Sequence, residues 1–130
     1  MRQGIKSLLG PKPLLGIAIT YTLLITAALL TPITGAPKIE IPFADKMVHL
    51  IINAGLFVVW ASYVFSGKTN TKTYTLPLLF VCTLLYGILI EVVQGSYIPT
   101  RGADFFDVVA NVCGLILGFF AVKLTKKFIY

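Results

Sequence analysis

Four apolar runs, each near the length needed to cross a bilayer, constrain this chain more than any other feature. They occupy residues 14–31, 46–65, 76–94 and 104–124. A hydrocarbon core of about 30 Å takes about 20 helical residues to span. Only 12% of the residues are charged and 57% are hydrophobic, with a mean hydropathy of +0.89. A soluble domain carries about a quarter charged residues, so this much apolar surface needs lipid as its solvent. The expectation is an all-α fold: an integral membrane bundle of four transmembrane helices, in one domain over residues 1–130 that leaves almost nothing for a soluble module.

The connecting segments set the expected orientation. Arg2, Lys6, Lys12, Lys68, Lys72, Lys123, Lys126 and Lys127 fall at one end of a four-span arrangement, and Lys38, Lys46 and Arg101 at the other. Lys and Arg concentrate on the cytoplasmic side, so eight against three predicts that both termini are cytoplasmic. All five carboxylates, Glu40, Asp45, Glu91, Asp104 and Asp107, then lie toward the outer face.

The formal charge of +6 is accounted for by these loops and tails, and no basic stripe with interleaved aromatics suggests nucleic acid. Cys82 and Cys113 lie inside apolar runs without metal-ligand spacing and read as small buried hydrophobes. A basic start and the small residues Thr34, Gly35 and Ala36 raise the question of a cleaved leader. The first run exceeds a leader's usual apolar length and Pro37 follows the site, so a retained first helix is expected. Pro32, Gly35, Pro37 and Pro42 make residues 31–43 an extended or turning outer segment, and residues 66–75 the inner loop between spans two and three.

The polar residues of the outer half follow helical spacing. Asp45, His49 and Asn53 step by four on the second span, with Asp45 as an N-cap or first-turn carboxylate. Glu91 and Gln94 share a face of the third, and Gly87 extends it inward. Asp104, Asp107, Asn111, Gly114 and Gly118 make one stripe on the fourth. Gly114 and Gly118 have the spacing that permits close helix packing in lipid, including a homodimer through that face. Polar groups at this depth are costly to desolvate and mark a site or a pairing network. Arg101 reads as the counter-ion for the carboxylates, because its planar fork binds carboxylate or phosphate in two places, and Lys46 as pointing to headgroups. Helix caps, snorkelling cations and an inter-helix Asn111 explain part of the pattern, but not Glu91 or His49 within their spans.

The combination Asp45-Lys46-x-x-His49, Glu91-x-x-Gln94 and Arg101-x-x-Asp104-x-x-Asp107-x-x-x-Asn111-x-x-Gly114 resembles the pattern of VanZ-like membrane proteins, over roughly residues 45–118. The resemblance implies a small multi-pass protein of the bacterial plasma membrane, linked in its founding members to resistance to teicoplanin-type lipoglycopeptides. It implies no defined biochemical activity.

The residues themselves suggest a site for an amphiphile at the extracytoplasmic leaflet. The partner would be a membrane lipid, a lipid-linked cell-wall precursor or a lipoglycopeptide. Asp45, Lys46, Asn53, Gln94, Arg101 and Asn111 are the expected binding groups. For chemistry, Glu91 or His49 is the expected general base, Asp104 or Asp107 the second carboxylate, and Arg101 the stabiliser of negative charge. The sequence carries no specific metal motif, although the carboxylates and His49 could hold a divalent cation. A proton-coupled transporter through Glu91, His49 and Asp107, or a non-catalytic membrane scaffold, are the alternatives. The first span offers a relay only Thr20, Tyr21, Thr22 and Thr26.

Overall fold

The computed structural model describes residues 10–32, 43–66 and 72–129, with side chains to residue 125. The proline-rich outer segment, the small residues at Thr34–Ala36, and the basic residues Arg2, Lys6, Lys38, Lys68, Lys126 and Lys127 lie outside the described residues or side chains. Among the described residues there are four helices and no strands: α1 (Pro11–Leu30), α2 (Ala44–Phe65), α3 (Thr75–Tyr97) and α4 (Phe105–Ile129). At a rise of about 1.5 Å per residue, all four are long and apolar enough to cross a membrane.

Local chemistry sets the helix ends. α1 begins at Pro11 rather than Leu14, with proline in its first turn, where the missing N–H would have had no helical partner. α3 runs to Tyr97, past the expected boundary at residue 94, and stops at Ile98. Ile98 precedes Pro99, whose ring disfavours helical backbone in the residue before it. Gly95 has another role: a Cβ there would lie 2.6 Å from Ala103 Cβ, so its absence lets the α3–α4 loop fold back onto α3. α2 begins after Phe43, which takes a left-handed conformation at φ 63°, and Asp45 sits in its first turn without capping it.

The closest pair is α2 and α4, which run parallel. A Cβ on Gly114 would fall on the carbonyl oxygen of Leu50, and one on Gly118 would lie 2.9 Å from that of Ala54. The glycine stripe is therefore filled by α2 of the same chain. α1 packs on α2 and α3, and α3 on α4 and α2.

Polar bonds tie α1 into the bundle at several depths. Tyr21 donates to the Ile52 carbonyl at 2.9 Å, Trp60 Nε1 donates to Thr22 Oγ1 at 3.0 Å, and the Thr26 and Tyr86 hydroxyls are 2.6 Å apart. Without a hydrophobic force between helices in lipid, such bonds and close packing hold spans together. None of these pairings was foreseen, because Tyr, Trp and Thr in a span carry no spacing that names a partner.

The interior differs between its two ends. At the end where α2 finishes, Phe57, Ala61, Phe65 and Leu115 are buried, and the rings of Phe57, Phe80 and Phe119 meet edge-on or tilted, with centroids 6.0–6.4 Å apart. At the end where α2 begins, the buried polar residues are His49, Asn53, Glu91, Gln94, Asp107 and Asn111. Leu23, Leu24, Leu85 and Leu117 are more than half exposed, as a lipid-facing surface requires. Cys82 and Cys113 lie on that surface rather than in the core.

Candidate functional site

The polar end is built from α2, α3 and α4 at one depth. Gly87 on α3 makes room for it: a Cβ there would lie 3.3 Å from Asn111 Nδ2 and 3.5 Å from Asn53 Oδ1. All three polar faces read from helical spacing converge here, which spacing alone did not guarantee.

Asn111 is the hub. Asn53 Nδ2 donates to the His49 carbonyl at 2.9 Å and to Asn111 Oδ1 at 2.7 Å, and His49 Nδ1 is 3.0 Å from the same Oδ1. These contacts fix the proton positions. A backbone carbonyl only accepts, so the Asn53 atom beside it is the amide nitrogen, and the Asn111 atom that this nitrogen meets is the oxygen. His49 Nδ1 must then carry the hydrogen. Glu91 Oε1, 3.3 Å from Nδ1, reinforces this, though its geometry falls short of a hydrogen bond. Nε2, on the opposite edge of the ring, therefore faces the other way, toward Asp45 Oδ1 at 3.9 Å and Asp107 Oδ2 at 3.8 Å.

Lys46 takes the counter-ion role expected of Arg101. Its Nζ bridges Asp104 Oδ2 at 2.8 Å and Asp107 Oδ1 at 3.1 Å. The close α2–α4 packing carries Lys46 to the start of α4, whereas Arg101 is held in the loop, its N–H donating to the Ile98 carbonyl at 3.0 Å. Asp104 also accepts the Phe106 N–H at 2.8 Å, so it caps α4 as well as pairing. The Lys46 ammonium, helped by that N–H, holds the Asp104 carboxyl below the usual aspartate range.

Gln94 donates through Nε2 to the Leu29 carbonyl at 2.7 Å, tying the end of α1 to α3. Glu91 is 3% exposed, and neither of its oxygens has a hydrogen-bond partner among the described residues. A buried carboxylate in that state is costly and is held there by the fold around it.

A cleft of about 330 Å³ opens over these groups. It is lined by Asp45, His49, Gln94, Thr100, Arg101, Gly102, Asp104 and Asp107. Thr100 and Gly102 were not foreseen, because loop residues carry no periodicity. Arg101 makes no ion pair among the described residues, and its Nε is buried without a hydrogen-bond partner. Phe43, Tyr97, Phe105 and Phe106, each more than 60% exposed, stand at the same end of the bundle. Aromatic side chains there suit a membrane–water interface.

A comparison with curated proteins finds an uncharacterized protein of Schizosaccharomyces pombe, 31% identical over 101 residues. The match takes in 78% of this chain, and the chain spans 58% of the length of that relative. No solved structure matches. The sequence model of one family matches residues 13–126, taking in all three polar faces and the cleft: the chain belongs to the VanZ/LLP1 family of membrane proteins.

Proposed function

We propose that the chain binds an anionic amphiphile at one face of the membrane, with the headgroup in the cleft and the acyl or prenyl chain along the lipid-exposed helices. The observation that carries this reading is Arg101, a cleft-lining guanidinium with a buried, unpartnered Nε and no ion pair among the described residues. A guanidinium binds phosphate or carboxylate oxygens in pairs. The exposed aromatics around the mouth support an interfacial position. With both termini cytoplasmic, as the eight-to-three distribution of basic residues predicts, the cleft faces the extracytoplasmic side. The ligand is then an envelope lipid, a lipid-linked cell-wall precursor or a lipoglycopeptide. All three join an apolar chain to ionised groups, and the last connects the site to teicoplanin-type resistance.

A second reading, modification of the bound molecule, rests on His49. Its Nε2 faces the cleft while Asn111 and Glu91 hold the opposite edge of the ring, an arrangement that prepares an imidazole as a proton acceptor or a metal ligand. The transporter reading gains no such support. Beyond Asn53 the interior is closed by Phe57, Phe80, Phe119 and Leu115, and no carboxylate or histidine among the described residues continues a relay there.

The test purifies wild type, Arg101→Gln and Glu91→Gln at matched levels and identifies co-purifying lipids and lipid-linked glycans by mass spectrometry. One anionic amphiphile retained by wild type and lost from Arg101→Gln is the expected result. Equal complements in all three proteins would sink the proposal. A new product in membranes holding wild type but not Glu91→Gln would move the reading to chemistry.

A further inference from the structure

We infer that Asp45, His49 and Asp107 form a binding site for a divalent transition-metal cation at the floor of the cleft. The inference deepens the amphiphile reading, since the cation would share an anionic headgroup with Arg101.

The ligand atoms come from two helices. One atom from each of the three residues lies within 4.8 Å of the other two. His49 is 1% exposed and Asp107 5%, so two of the three are fixed by packing, while Asp45 stands at the mouth. A four-coordinate cation with bonds of about 2.0–2.2 Å holds its ligands about 3.3 Å apart. The 3.9 Å between His49 and Asp45 needs an inward shift of about half an ångström, which the exposed Asp45 can supply by rotation about its side chain. The 3.8 Å between His49 and Asp107 closes by a similar shift of the Asp107 carboxyl about its own side chain.

Three further features point to a ligand rather than to a chance group of acids. The first is the orientation of His49. The Asn53–Asn111 pair places a hydrogen on Nδ1, so that Nε2, which has no hydrogen-bond partner among the described residues, is the ring nitrogen that faces both carboxylates and would ligate a cation. Metal-binding histidines are held in this way, the far N–H given to a carboxylate or carbonyl behind the ring. The second is Glu91, a buried carboxylate at 3.3 Å behind that N–H, which no hydrogen bond explains. The third is the division of Asp107, whose Oδ1 is taken by Lys46 while Oδ2 is left for the cleft.

The charge of the cleft supplies the link to function. Asp45, Asp104 and Asp107 line it with Arg101, and Lys46 pairs with Asp104 and Asp107, so one carboxylate is left in excess, which disfavours an anion. A divalent cation on two of the carboxylates reverses this locally and presents its open positions to a headgroup oxygen. A donor set of one imidazole and two carboxylates suits Zn²⁺ or Mn²⁺ better than Mg²⁺ or Ca²⁺, and the usual order of affinities favours Zn²⁺ over Mn²⁺.

The test uses the full chain in detergent micelles with both cysteines replaced (Cys82→Ser, Cys113→Ser), which removes thiol binding, and Zn²⁺ alone as the probe. Binding is measured by equilibrium dialysis against chelator-buffered Zn²⁺, with folding followed through Trp60 fluorescence. One Zn²⁺ per chain is expected, weakened at least tenfold by Asp45→Asn and kept within about threefold by Asp45→His, which loses the charge but retains a ligand atom. Asp45 makes no hydrogen bond among the described residues and is largely exposed, so neither variant threatens the fold. His49→Gln should abolish binding. Absence of stoichiometric Zn²⁺ in the folded protein, or an Asp45→Asn variant that binds like its parent, overturns the cation site. Lipid retention through Arg101 would still be decided by its own experiment, so the two readings fail separately.

Discussion

Replacing Gly114 with alanine tests whether the polar site depends on the closeness of α2 and α4. The added Cβ would fall on the Leu50 carbonyl oxygen, 3.0 Å from the Leu50 carbonyl carbon and 3.1 Å from Ala54 N. All three are backbone atoms of a helix, so no rotamer change relieves the clash. The helices must separate, by about 1 Å if the methyl is to reach ordinary contact, and such overpacking costs about 1–3 kcal/mol. One turn away, the contacts of Asn111 Oδ1 with His49 Nδ1 at 3.0 Å and Asn53 Nδ2 at 2.7 Å cross the same gap. Inter-helix hydrogen bonds in membranes contribute about 0.6 kcal/mol each. The expected loss is about 2–4 kcal/mol. Gly16→Ala is the control, since a Cβ there meets nothing within 4 Å and alanine is favoured in a helix by up to about 1 kcal/mol. Unfolding in mixed micelles with increasing SDS, followed by the fluorescence of the single Trp60, reads both variants. Equal midpoints for Gly114→Ala and Gly16→Ala would refute the packing argument and the geometry of the site with it.

Other consequences can be measured in the same system. The Asp104 carboxyl is held below its usual range by Lys46, so its stabilising effect is complete above the unfolded value of about 3.9 and is lost as pH falls through the lower folded value. The midpoint difference between wild type and Asp104→Asn should thus be constant from pH 8 to about pH 5 and vanish in stronger acid; a difference that grows on acidification would contradict the pairing. Asn111→Ala leaves His49 Nδ1 and Asn53 Nδ2 without their shared acceptor and should cost about 1–2 kcal/mol, measured by the same unfolding curves. Cys82 and Cys113 face outward within their spans, so a membrane-impermeant maleimide should leave both unlabelled in intact vesicles and label them after SDS unfolding. A cysteine placed at Thr100, on the cleft rim, should react with that reagent from outside intact cells if the cleft is extracytoplasmic, and from the cytoplasmic side only if the orientation is reversed.

Most of the architecture was legible in the sequence because it is local. The length of an apolar run sets a span, a proline or a pre-proline residue sets its end, and the 3.6-residue repeat fixes which side chains share a face. His49 with Asn53, Glu91 with Gln94, and the stripe from Asp107 to Gly118 could therefore be grouped helix by helix, and in the structure they meet. Partners across helices were not legible, because spacing gives each helix a face but not a neighbour. Only the packed bundle decided that the glycine stripe belongs to α2, that Gln94 reaches the Leu29 carbonyl, and that Lys46 rather than Arg101 neutralises Asp104 and Asp107. The reason is steric: two glycines let two backbones touch, which brings Lys46 to the start of α4 and leaves Arg101 in the cleft without an ion pair among the described residues.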